Sequence, residues 1–206
     1  MNHIAHFLLA PQTVEGAIGT LLADFVRGPV AESLPAAVAA AVRLHRAIDG
    51  ETDRISDVRA LKASFAPEFR RFAGLALDLY FDHRLAREWP RYSPQPFDTF
   101  IAGVHRSLDA GLHAGYVPDR MRLFATAMRD RDWLRSYRNF EGVEAALQRL
   151  NYTFERRFRR EVELRPLAGE LLRLQAQCDS AFGMVFAHLQ RFAELASDRD
   201  GQAGNA

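Results

Sequence analysis

Residues 77–89 read "LDLYFDHRLAREW". At about 100° per residue its apolar side chains fall on nearly every side of a helix, the pattern of a segment enclosed by the rest of a protein. Outward from it, apolar residues recur at spacings of three and four through most of the chain, and clean period-two alternation is scarce, so an all-α fold is expected. The spacing predicts helices near 14–27, 34–50, 55–65, 67–89, 96–114, 119–137, 140–160 and 165–197. Ser33 is the expected N-cap of the second, and Pro67, Pro96, Pro118 and Pro166 punctuate later starts. No repeat or linker divides the chain: residues 1–197 read as a single helical domain and 198–206, small and polar, as a flexible tail.

The 206 residues are 48% hydrophobic, enough for one core, and no stretch is long enough to span a bilayer. The opening "MNHIAHFLLA" has no basic n-region, so no secretory signal is expected. One cysteine, Cys178, excludes an intrachain disulfide and is compatible with a reducing cytoplasm, the expected location. A net charge of +1 excludes a strongly basic, nucleic-acid-like balance. Lys62 is the only lysine. Arginine suits bidentate phosphate or carboxylate contacts, and a codon bias toward arginine accounts for the same usage equally well.

Charged groups on apolar faces point to chemistry. In the second helix Val38, Val42, His45 and Asp49 recur at i, i+4, i+7 and i+11, which sets an imidazole and a carboxylate within the apolar stripe. Unpaired burial there costs several kcal/mol, so His45 and Asp49 either pair with each other or converge on a cation. The segment 77–89 repeats the anomaly with Asp78, Asp82 and His83, of which Asp82 and His83 flank the inward line of Leu75, Leu79 and Ala86. Imidazole mixed with carboxylate suits Mn²⁺, Fe²⁺ or Zn²⁺ better than Ca²⁺. Such an ion lowers the pKa of water toward neutrality and polarises a phosphoryl oxygen, as phosphate-ester hydrolysis needs. His6 is a further candidate, as ligand or general acid, while His3 reads as part of a polar N-terminal strand or turn. Asp24 and Arg27, in "GTLLADFVRG" (19–28), lie opposite the stripe of Ile18, Leu22 and Phe25 and by pattern alone form a solvated pair. Trp89, Trp133 and the phenylalanines read as core.

"MNHIAHFLLA", "GTLLADFVRG", "LHRAID" (44–49) with "TD" after it, and "LDLYFDHRLAREW", in this order and spacing, resemble the acyl carrier protein phosphodiesterase family, also called holo-acyl-carrier-protein hydrolase. "WLRSYRNF" (133–140) is compatible with it. The resemblance implies a divergent HD-type helical metallo-phosphohydrolase. It also implies release of 4′-phosphopantetheine from the serine of holo-acyl carrier protein, usually with Mn²⁺. It makes Asp24 the key carboxylate, and His6, His45 and the Asp82–His83 pair match other motif positions. The chain departs from the family pattern at Leu8, where a histidine is usual, and at Thr20, where an asparagine is usual. Asp82–His83 also reverses the order of the HD dipeptide, so standard HD ligand assignments do not transfer.

The resulting expectation is a site in which Asp24, His45, Asp82 and His83 hold one or two divalent ions, with Asp49 as ligand or as orienter of His45. Arg27 or Arg46 would neutralise the phosphoryl oxygens and His6 would protonate the leaving serine oxygen. Arg156, Arg157, Arg159 and Arg160 are a candidate docking patch for the acidic carrier protein. Two rival readings are an HD-like hydrolase of a nucleotide or other small phosphodiester, and a non-catalytic helical binding protein.

Overall fold

The computed structural model describes the backbone of residues 1–158 and 163–203 and the side chains of residues 1–153 and 163–196. The chain forms α1 (His3–Leu9), α2 (Val14–Leu22), α3 (Ala36–Arg54), α4 (Ser56–Ser64), α5 (Ala73–Arg87) and α6 (Phe97–Gly111). It continues through α7 (Asp119–Asp130), α8 (Trp133–Ser136), α9 (Phe140–Phe158), α10 (Pro166–Arg173) and α11 (Gln175–Ala203). Single 3-10 turns, Arg70–Phe72 and Trp89–Arg91, flank α5, and no strand occurs among the described residues. The fold is all-α, and none of its described helices is long and apolar enough to cross a membrane.

Several boundaries depart from the periodicity reading, each for a local reason. α1 is a helix where a strand or turn was expected; its seven residues are too few for a 3.6-residue period to register. α3 begins at Ala36 behind Pro35, so Ser33 does not cap it. α2 is capped by Thr13, whose hydroxyl accepts from Gly16 N at 3.0 Å, and it stops at Leu22 rather than running to 27. Two turn bonds follow, from Asp24 N to Leu21 O and from Phe25 N to Leu22 O, and Gly28 takes φ +75°. The segment expected as one helix over 119–137 breaks at Asp132, which adopts φ +48°, and the segment 165–197 breaks at Leu174. α11 itself runs on to Ala203.

The core is organised around α5, which contacts α1, α4, α9, α10 and α11. Ala76, Leu77, Leu79, Tyr80, Phe81, Leu85 and Ala86 are all buried, as an all-round apolar helix requires. Burial of each large apolar side chain contributes about 1.5–3 kcal/mol. A single hydrophobic cluster joins Met1 at one end of the sequence to Ala193 at the other, and Cys178 lies in it. α2 is wedged between α3 and α6 on glycines: a Cβ at Gly19 would stand 2.5 Å from Val38 O, and one at Gly111 would stand 2.3 Å from Ile18 Cγ1. That close seat carries the end of α2, and Asp24 with it, to the buried face of α3.

Candidate metal centre and active-site cleft

The buried stripe of α3 presents His45 and Asp49 one turn apart, with His45 Nε2 3.3 Å from Asp49 Oδ2. α1 brings His6 onto the same carboxylate, with Nε2 3.0 Å from Asp49 Oδ1. The two imidazoles lie face to face, their centroids 3.7 Å apart and their planes within 5°. From the turn after α2, Asp24 Oδ1 stands 3.5 Å from His45 Nε2, and its Oδ2 stands 3.7 Å from His3 Nδ1. The Nδ1 atoms of His6 and His45 are buried without a hydrogen-bond partner, so the Nε2 edges carry the polar contacts of both rings.

Groups outside this cluster hold it in place. Asp82, fully buried on α5, accepts hydrogen bonds from Ile4 N at 2.7 Å and Ala5 N at 3.1 Å. It satisfies the free amides at the start of α1 and puts a carboxylate at the positive end of that helix. The α-amino group of Met1 lies 2.9 Å from Asp78 Oδ1 and 3.7 Å from Asp49 Oδ1. Arg46 donates to Gly28 O at 2.7 Å and Val26 O at 2.9 Å, and Arg120 donates to Phe25 O. Two guanidinium groups thereby tie down the turn that bears Asp24.

The charges follow from these contacts. Burial drives the His6 imidazole down to about 3, and its bond to Asp49 only partly opposes this. Burial also disfavours charge on Asp49, but the hydrogen bonds from His45 and His6 outweigh it and hold that carboxyl well below the usual range. Burial lowers His3 as well. Asp82, with burial the dominant influence, is pushed up to about 7 despite its two amide donors.

A cleft of about 600 Å³ opens over the cluster. His3, His6, Asp24, His45, Asp49 and Asp78 line it, together with Phe25, Phe124, Trp133, Tyr137, Arg149 and Leu150. The expected residues therefore separate into two groups. His6, Asp24, His45 and Asp49 come together. Asp82 is engaged by the backbone of α1, and His83 Nδ1 sits 2.8 Å from Tyr137 O with its ring against Tyr80 and Phe140, outside the cleft lining. Arg46 is occupied by the carbonyls of the 26–28 turn, and Arg27 is exposed and outside the lining. The side chains of Arg156, Arg157, Arg159 and Arg160 lie outside the described residues. His3, read as part of a polar N-terminal strand or turn, and Trp133, read as core, also line the cleft, and so does Arg149, a single charge within α9 that gave no periodic signal.

His6, His45 and Asp49 each offer a ligand atom, all within 4.8 Å of one another. Donors bound at about 2.1 Å from an ion stand roughly 3.0–3.4 Å apart in octahedral or tetrahedral shells, and the contacts of 3.0, 3.3 and 3.5 Å converging here fall close to that spacing. Two imidazoles and up to two carboxylates form a donor set suited to a divalent transition metal. The residues present fit such an ion.

The family model described as acyl carrier protein phosphodiesterase matches residues 1–189. A protein of Pectobacterium atrosepticum named acyl carrier protein phosphodiesterase is 33% identical over 152 residues, covering 73% of this chain and 78% of its own. Proteins of the same name from Enterobacter sp. (34% over 151 residues) and Shigella boydii serotype 18 (36% over 148) each match 71% of this chain and 76% of their own length. No solved structure matches. With a match that runs from α1 into α11 and takes in every residue of the cluster, the chain belongs to the acyl carrier protein phosphodiesterase family.

Proposed function

We propose that this protein hydrolyses the phosphodiester linking 4′-phosphopantetheine to the serine of holo-acyl carrier protein, with a divalent ion, Mn²⁺ by family resemblance, held by His6, His45 and Asp49. The observation that carries the reading is the convergence of those three residues and Asp24 on one wall of an open cleft, in a chain of this family. A divalent ion there supplies positive charge that polarises the phosphoryl oxygens and eases deprotonation of the attacking water.

The chain's own groups orient and position. Asp49 stands 3.0 Å from Nε2 of His6 and 3.3 Å from Nε2 of His45 and so gathers two ring edges at one point, where, with the ring protons on Nδ1, both Nε2 lone pairs would face an ion. Asp24, half-exposed and beside His45, is the carboxylate open to the cleft, where it can join the ligand set and take a proton from water. A histidine held near 3 is neutral at physiological pH, which supports a ligand role for His6 over that of a proton donor. The contacts of Asp82 and Arg46 support positioning roles, Asp82 for α1 and Arg46 for the turn that carries Asp24.

The test is incubation of the purified protein with holo-acyl carrier protein and Mn²⁺, followed by intact mass. The carrier should lose its phosphopantetheine arm, and Asp24→Ala should slow that loss by two orders of magnitude or more. An unchanged carrier mass with the wild-type protein defeats the reading. Full activity of Asp24→Ala defeats the role given to Asp24.

A further inference from the structure

The cleft also holds a guanidinium whose placement asks for an anion. Arg149 is half-buried on α9, with its Cζ 4.5 Å from the centroid of the Trp133 ring. The Tyr137 hydroxyl lies beside it. No carboxylate pairs with it among the described residues. Trp133 is braced edge-on by Phe124 at 5.3 Å, and Phe124 in turn meets the rings of His3 at 5.5 Å and Phe25 at 5.6 Å. An aromatic row therefore fixes Arg149 relative to the turn that bears Asp24.

Tyr137 is equally constrained. Its hydroxyl is buried, accepts from Asn2 Nδ2 at 3.1 Å and carries an O–H proton of its own to donate. A partly desolvated cation with no counter-ion among the described residues is costly. Asp24, Asp49, Asp53 and Asp78 also line the cleft, with the Met1 α-amino group held between Asp49 and Asp78. Among the described lining residues Arg149 supplies the guanidinium that an anionic ligand entering the cleft can meet.

Resting on the proposed function, we infer that Arg149 and Tyr137 form a phosphate-recognising subsite for the substrate's phosphoryl group, with the apolar wall of Trp133, Phe124 and Leu150 receiving the arm attached to it. The guanidinium is planar and pre-stacked, so little side-chain freedom is lost when phosphate oxygens bind.

Binding of two probes, 4′-phosphopantetheine and pantetheine, to the full chain in the presence of chelator tests the subsite. The probes differ only in the phosphate, and without metal the preference between them reports on protein groups alone. Calorimetry gives the affinities, and Trp133 fluorescence reports entry into the cleft. The wild type should prefer the phosphorylated probe, and Arg149→Met, which keeps the apolar stem, should lose about 10- to 100-fold of that preference. Tyr137→Phe should lose a smaller part, and Arg149→Lys should restore some of it through charge alone. An unchanged preference in Arg149→Met overturns the inference, as does a wild type that binds both probes equally. If Arg149→Met does not fold, Arg149→Lys decides: full wild-type preference without the planar stack counts against the subsite. A wild type that prefers the phosphorylated probe yet leaves the mass of holo-carrier protein unchanged with Mn²⁺ defeats the catalytic reading and not the subsite.

Discussion

Burial drives the His6 imidazole to about 3, whereas an unfolded chain carries it near 6.5. Between those values the unfolded state holds a proton that the folded state does not, so the His6 contribution to stability is present above pH 6.5 and is lost as pH falls toward 3. In chelator, urea midpoints of the wild type should fall relative to those of His6→Gln as pH drops from 7 to 5. Parallel curves would show that His6 is not held neutral. Asp82 titrates in the opposite sense, pushed up to about 7, and because it is common to both proteins it cancels in the comparison. His45 and Asp49 were legible in the sequence because a long amphipathic helix makes an inward polar pair conspicuous. Asp24 was legible only through the family's motif, since the 3.6-residue rule was carried past the end of α2. That Asp82 was buried could be read; that its partners were amides 77 and 78 residues away could not. Local pattern carries no information about which distant backbone a buried carboxylate will meet.

Elements place the site as much as residues do. α1 is short and depends on Asp82 for its first amides, so Asp82→Ala should destabilise the protein by about 1–3 kcal/mol for each amide left unpaired, partly offset by removing a carboxyl that burial disfavours when charged. It should also loosen His6, so metal affinity should fall together with the unfolding midpoint. Gly19 seats α2 on α3. A Cβ there meets Val38 O and Ala41 Cβ, and Gly19→Ala should cost about 1–3 kcal/mol and draw Asp24 away from His45. Thermal melts and turnover of holo-carrier protein measure the two effects, and a variant as stable and active as the wild type would show that the helices move apart without consequence. The long helices α3, α6 and α9 were readable because each buries one continuous stripe. The breaks at Asp132 and Leu174 were not, because backbone dihedrals rather than composition make them.

Across the whole molecule, the proposed metal site, built from α1, the α2–α3 connection and α3, should report its occupancy as stability. Mn²⁺ at a hundredfold excess over its dissociation constant should stabilise the wild type by about 2.7 kcal/mol. His45→Ala, scanned by calorimetry under the same conditions, should show little of that gain. An equal gain in both would place the ion elsewhere.

The capping of α1 by Asp82 bears also on how an ion would reach the proposed site. Because a carboxylate outside the proposed donor set already fastens α1 to α5, His6, His45 and Asp49 stand in register through the fold itself, and folding need not wait on loading of an ion. Exchange then requires only diffusion through the open cleft. For a site so prepared, the ion found in a given preparation follows the relative supply of divalent metals and their intrinsic ligand affinities, and it changes with the growth medium while the fold stays the same.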